Sequence, residues 1–260
     1  MSADEEAGSV SVPVSRGGLT GGPWPLDDPA VRSRVLDGLL AAVGAAKVRR
    51  RPFPHAALEG AFPPDVYAEM RRRLPPDQCY VPDPSERYRL PGGTAARSVA
   101  HIGSRGLARL PESDREFWAE ISSALTSNDL RESVFGLLGR GPVAGHPLPS
   151  LVRDRPGYWI EPHPDSPAKL VTVQLYLPGG SDQERLGTSL YRLQPWNLRN
   201  LLATGRPLVE FHRFPFLPGR GYAFSVGLVS WHGVEKIPEG AGARDSVLLV
   251  YYRKAERAAG

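Results

Sequence analysis

One cysteine, Cys79, in 260 residues excludes an internal disulfide and any zinc site built from several thiolates. Lysine is scarce as well: four residues, so the formal charge of +4 is carried by arginine. The densest basic clusters, Arg49-Arg50-Arg51 and Arg71-Arg72-Arg73, read as solvated faces beside helices and strands rather than as a nucleic-acid footprint. No run approaches the ~18 apolar residues that a membrane span needs. The opening Met-Ser-Ala-Asp-Glu-Glu-Ala-Gly is polar and acidic, unlike a signal peptide. No repeat with a period of 20–50 residues is present, which excludes solenoids and propellers. The expectation is a soluble, cytoplasmic protein with no membrane or nucleic-acid partner; its oligomeric state is not legible. Apolar residues at 41% and charged residues at 23% supply an ordinary globular core.

Residues 1–25 are rich in Gly, Ser and Pro without an apolar period and read as a flexible tail. Residues 26–260 read as a single domain, helical over 26–145 and β-rich over 146–255. Asp28 and Pro29 open a first helix whose apolar face is Val31, Val35, Leu36, Leu39, Leu40 and Val43. Residues 47–58 hold two prolines and read as an edge strand or extended arm. A second helix covers roughly 64–74, with Val66, Met70 and Leu74 four apart. The stretch 75–112, with Pro75-Pro76 and Pro91-Gly92-Gly93, reads as a long loop. Ser113 and Glu116 form a capping-box pattern for a third helix, and a fourth follows Asn128.

From about residue 150, short extended segments separated by Pro and Gly turns take over: 155–162, 169–177, 187–193, 208–216, 220–226, 228–235 and 245–253. Helices first and strands second argue for an α+β fold, an antiparallel sandwich or barrel with helices packed on one face. Within 170–177, Thr172, Gln174 and Tyr176 share one face while Val171, Val173, Leu175 and Leu177 share the other. That alternation fits a wet cavity on one side and helix packing on the opposite side.

The chemistry-bearing residues sit in this β-rich half. His163 and Asp165 lie two apart where one extended segment ends and another begins, and His232 follows 67 residues after Asp165. Two imidazoles and one carboxylate make the facial triad that suits a non-haem ferrous ion with open positions; the same donors also suit zinc. Each imidazole must be neutral and should donate its other ring N–H to an acceptor behind it. A 2-oxo acid chelating that metal needs a cation and a hydroxyl deeper in the pocket for its far carboxylate. Arg244 and Ser246, on one strand face, offer both, and Tyr158 could add a phenolic bond. Thr172 and Gln174 are candidates to touch the metal-bound end.

The pattern His-Xaa-Asp, then His, then Arg-Xaa-Ser, in the settings Pro-His-Pro-Asp-Ser-Pro-Ala-Lys-Leu-Val-Thr, Gly-Thr-Ser-Leu-Tyr and Ser-Trp-His-Gly-Val, resembles the 2-oxoglutarate/Fe(II)-dependent oxygenase superfamily, over about residues 155–253. The resemblance implies a double-stranded β-helix (jelly-roll) core with Fe(II) on His163, Asp165 and His232. It also implies 2-oxoglutarate on Arg244, and dioxygen consumed to hydroxylate, desaturate or cyclise a C–H substrate. Asp165 at the carboxylate position argues against the halogenating branch, where Gly or Ala leaves room for chloride. The nucleic-acid repair branch carries a second arginine soon after the first, whereas here Arg253 is nine residues on. A small-molecule substrate, such as a secondary-metabolite intermediate, is the main expectation. The alternatives are a peptide or protein side chain, a zinc hydrolase, and a non-catalytic β-sandwich that binds a ligand. Arg97 and His101, expected on the long loop over the barrel mouth, and Trp231 beside His232 are the candidate substrate contacts.

Overall fold

The computed structural model describes residues 30–83, 95–141, 144–194 and 207–253. The tail, the Asp28–Pro29 helix start and Pro91-Gly92-Gly93 lie outside the described residues. In the first half, α1 (Ala30–Ala45), α2 (Pro64–Arg72), α3 (Ser104–Leu107), α4 (Glu112–Leu125) and α5 (Asn128–Leu137) are interleaved with β1 (His55–Glu59), β2 (Val81–Pro82) and β3 (Arg97–His101). Then follow β4 (Gly145–Asp154), β5 (Ile160–His163), β6 (Lys169–Leu177), β7 (Thr188–Leu193), β8 (Leu208–Phe214), β9 (Arg220–Ser225), β10 (His232–Val234) and β11 (Arg244–Arg253). Among the described residues no helix is long and apolar enough to cross a membrane.

The strands form two antiparallel sheets, one of seven in the order β1-β9-β6-β11-β4-β3-β2 and one of four in the order β5-β10-β7-β8. The larger sheet is central because β6 and β11 carry a full apolar stripe on one face. Val171, Val173, Leu175, Val247 and Leu249 are buried there with Val35, Leu39, Trp118, Ile121 and Leu125 of the helices. Each such side chain contributes about 1.5–3 kcal/mol on burial. The inner face packs an aromatic core against the small sheet, with Tyr176, Tyr222 and Phe224 on one side and Ile160, Leu190, Phe214 and Val234 on the other. Phe214 and Tyr222 stack at 4.8 Å between ring centroids. The α+β jelly roll with helices on one face is therefore the observed architecture.

Several local expectations are corrected. The 75–112 stretch is not one loop, since β2, β3 and α3 lie within it, and β1 and β3 of the helix-rich half join the large sheet. The Ser113–Glu116 capping box does not form; α4 starts at Glu112, behind Pro111, without a side-chain cap. In its place, α5 is capped by Ser127, whose Oγ accepts from Leu130 N at 3.2 Å. The expected strand over 155–162 begins with a turn. Tyr158 N donates to Arg155 O at 2.9 Å, and Gly157 sits at φ 85°, the left-handed position that a Pro-Gly type II turn requires.

Candidate metal centre and carboxylate pocket

β5 and β10 are neighbours in the small sheet, with His163 directly opposite His232. Directly opposed residues share a face with Cβ atoms about 5 Å apart, so strand pairing alone brings the rings together at 4.5 Å between centroids. Gly233 permits the approach: a Cβ there would stand 2.8 Å from Ile160 O. Asp165 lies just past the end of β5, in the turn before β6. The three donor groups lie within 4.8 Å of one another, with His232 Nε2 4.0 Å from Asp165 Oδ2.

The surroundings prepare these donors for a cation. His163 Nδ1 lies 2.9 Å from Glu161 O, and His232 Nδ1 lies 3.0 Å from Ser230 O. A carbonyl only accepts, so both Nδ1 atoms carry the proton and both Nε2 lone pairs are free to ligate. Burial, helped by the neighbouring imidazole, pushes His163 down to about 4. Burial also lowers His232, against the pull of Asp165. Burial would raise Asp165, but His232, Lys169 and Thr172 together hold it below the usual carboxylate range. Thr172 Oγ1 donates to Asp165 Oδ2 at 2.8 Å, and Lys169 Nζ lies 2.5 Å from Oδ1. Two neutral imidazoles and an ionised carboxylate, each fixed from behind, fit a divalent ion with nitrogen and oxygen preferences.

At the other end of the inner face, Arg244 is fully buried. Its Nε donates to Leu186 O at 2.6 Å, one terminal nitrogen to Asp154 Oδ2 at 2.8 Å and the other to Thr188 Oγ1 at 3.1 Å. The guanidinium lies over the rings of Phe216 and Tyr176. Between the two ends, Gln174 Nε2 donates to Ser246 Oγ at 2.8 Å and accepts at Oε1 from Tyr222 OH at 2.6 Å. The stripe Thr172, Gln174, Tyr176 thus runs from the His163–Asp165–His232 cluster to the buried arginine, about 13 Å along one strand.

His163, Asp165 and His232 therefore come together as a cluster, and Arg244, Ser246 and Gln174 line one inner face with them. Thr172 binds Asp165 directly. Tyr158 is buried at the arginine end, its ring 4.5 Å from the Arg97 guanidinium. Arg97 and His101 are not on a loop over the mouth: both lie on β3, because that segment pairs with β4 from Arg97↔Asp154 to His101↔Ser150. Arg97 binds Asp154 with both ends of its fork, at 2.6 and 3.0 Å, and His101 Nδ1 lies 2.8 Å from Ser150 Oγ. Trp231 is half-buried beside His232, and its Nε1 finds no acceptor among the described residues. Sequence reasoning missed Lys169, Tyr222 and Asp154. Lys169 carried a signal, a rare lysine four residues after Asp165. Asp154 carried none, since its role depends on the register of β4 against β3 and β11. Beyond Lys169 and Arg97 the inner face opens into a groove of about 1310 Å³, floored by Val99, Val152, Leu248 and Val250.

No known family model matches this chain, and no curated protein matches it either. Solved structures do. A prolyl hydroxylase from Trichoplax adhaerens, in complex with a hypoxia inducible factor oxygen degradation domain peptide fragment, superposes with a TM-score of 0.50 at 16% identity, covering 92% of this chain and 97% of that one. An oxidoreductase of the 2OG-Fe(II) oxygenase family from Burkholderia pseudomallei superposes with a TM-score of 0.50 at 17% identity, covering 85% and 94%. The chain thus has the fold of the 2-oxoglutarate/Fe(II) oxygenases.

Proposed function

We propose that this chain is an Fe(II)- and 2-oxoglutarate-dependent dioxygenase that oxidises an unactivated C–H bond of a small molecule. The observation that carries the reading is the convergence of His163, Asp165 and His232 on the inner face of an oxygenase fold. Fe(II) would be held by His163, Asp165 and His232 and, with 2-oxoglutarate and dioxygen bound, would supply the oxidising power for C–H cleavage, the 2-oxo acid being spent as succinate and carbon dioxide. The chain's own residues do the rest. His163 and His232 ligate through Nε2, and the carbonyls of Glu161 and Ser230 keep both rings turned inward. Thr172 and Lys169 hold the Asp165 carboxylate ionised and oriented. Arg244 takes the far carboxylate of the 2-oxo acid, with Ser246, Gln174 and Tyr158 as the polar wall. The zinc-hydrolase reading leaves this buried arginine without a task.

The groove beyond Lys169 takes the substrate, and its aliphatic floor suits a molecule with an apolar body. Its volume also favours a second reading, a peptide side chain as substrate. Succinate release measured against a panel of small molecules and of peptides separates the two. Arg244→Ala should raise the 2-oxoglutarate requirement by about ten- to a hundredfold, the worth of a lost charge-assisted bond of roughly 1.5–3 kcal/mol. Unchanged co-substrate affinity in that variant contradicts the role given to Arg244.

A further inference from the structure

The far end of the groove carries positive charge that the proposed function leaves without a task. One row of strand partners crosses the large sheet from the metal end, Thr172↔Val250 and Val250↔Leu148. The next row runs Gln174↔Leu248, Leu248↔Ser150 and Ser150↔His101. The end of β3, with α3 just after it, therefore stands three strand spacings from β6, about 14 Å. Aliphatic Val250, Leu248 and Leu148 line the groove between them.

α3 is seated firmly at that end. A Cβ on Gly106 would overlap the His101 carbonyl, and the Gly106 amide donates to Gly103 O at 2.8 Å. Arg115 of α4 donates to Leu110 O at 3.0 Å and to Ala108 O at 3.2 Å, which fixes the backbone on either side of Arg109. Arg105 and Arg109, four residues apart, are exposed and line the groove beside His101. Partial burial lowers the His101 imidazole, and the nearby Arg109 lowers it further. Among the described residues neither arginine side chain makes a hydrogen bond or an ion pair. The cations at the metal end differ, since Lys169 is engaged by Asp165 and Arg97 by Asp154. Asp83, an acid on the groove wall, has its amide on Arg97 O at 3.0 Å. That is four residues along β3 from His101, about 13 Å away. Two guanidiniums on a fixed turn, at the end of an apolar floor, complement a molecule with an apolar body and an anionic head.

We infer that the substrate carries an oxyanion, a carboxylate or a phosphate, that docks on Arg105 and Arg109 while its apolar body lies over Leu248 and Val250 and its other end reaches the metal cluster. This rests on the oxygenase reading and deepens it by naming the substrate class, an elongated amphiphile whose head group lies about 14 Å from the metal end of the groove. Anchoring the head at that distance decides which carbon is presented for oxidation.

The test is anaerobic binding calorimetry on protein loaded with Fe(II) and 2-oxoglutarate, so that Arg244 is already occupied. The probes share one apolar body and differ in head group: octyl phosphate, octanoate, octanol and octyltrimethylammonium. Wild type should bind the better anion about ten- to a hundredfold more tightly than the alcohol, and the cation more weakly still. Whichever anion binds better identifies the head group. Arg105→Gln combined with Arg109→Gln should bring both anions to the level of the alcohol. Alcohol binding and the Fe(II)–2-oxoglutarate charge-transfer band should not change in that variant. Gly106→Ala keeps both charges but unseats α3, and should weaken anion binding about tenfold. A diffuse positive surface would keep its preference there. Equal binding of all the probes by wild type overturns the inference while the band shows the oxygenase reading intact. An anion preference that survives the double substitution, or survives Gly106→Ala in a folded protein, does the same. A wild type that forms no band with Fe(II) and 2-oxoglutarate overturns the reading on which the inference rests.

Discussion

The two faces of β6 and β11 are made by alternating residues of the same two strands and do opposite work. Outward, Val171, Val173, Leu175, Val247 and Leu249 pack under the helices and carry no polar atom beyond the backbone. Inward, Thr172, Gln174, Tyr176, Arg244 and Ser246 are as deeply buried, yet each is committed to a named partner. Burial of the first set stabilises the fold through apolar area. Burial of the second offers little net stability and pre-arranges charge and hydrogen bonds instead. Placing both on one strand pair ties the geometry of the site to the rigidity of the core.

The largest expected effect falls on the inner face. His232→Ala or Asp165→Ala should abolish metal binding and turnover while leaving the apo protein folded, as metal stoichiometry and circular dichroism would report. On the outer face, Leu249→Ala should cost about 2–5 kcal/mol in urea unfolding by opening a cavity. Metal affinity at native conditions should not change in that variant; a coupled loss would break the division between faces. Thr172→Val keeps the shape and removes the bond to Asp165. It should weaken metal binding about ten- to a hundredfold, with a change in unfolding free energy of about 1 kcal/mol or less.

The smallest effect concerns pH. His163 and His232 have lowered values in the folded apo protein, so the unfolded state binds more protons once pH drops below about 6.5. Apo stability should therefore fall as pH goes from about 6.5 toward 4, where His163 also protonates in the folded state. The aliphatic outer face has nothing to titrate, so Leu249→Ala should shift this curve down without changing its shape. Thermal melts across that range give the answer.

Much of this was legible because alternation is a strong signal on strands buried on one side. β6 occupies Lys169–Leu177, the expected segment, and its two faces are the expected ones. The His163–Asp165–His232 cluster was readable because His163 and Asp165 are local and His232 stands next to a glycine. What escaped depends on register or on exceptions. β4 went unrecognised because Pro147 and Pro149 argue against a strand with partners on both sides. The structure accommodates them through parity. Pro149 O faces β3, accepting from Ile102 N at 3.2 Å, so the missing N–H of both prolines points to that side, where strand pairing with β3 covers only Ser150–Asp154. Arg97 was misplaced for a related reason: one short strand inside a Pro- and Gly-rich stretch leaves almost no periodic trace, and its partner Asp154 is known only once the strands are aligned.

The central claim, that the inner face holds Fe(II) and a 2-oxo acid together, is tested most directly by anaerobic titration of the apo protein with Fe(II) and then 2-oxoglutarate, followed in the visible spectrum. The account predicts a weak charge-transfer band that appears only when both are present and is lost in His232→Ala. A well-folded wild-type protein that binds Fe(II) at this cluster and shows no band with 2-oxoglutarate would contradict it.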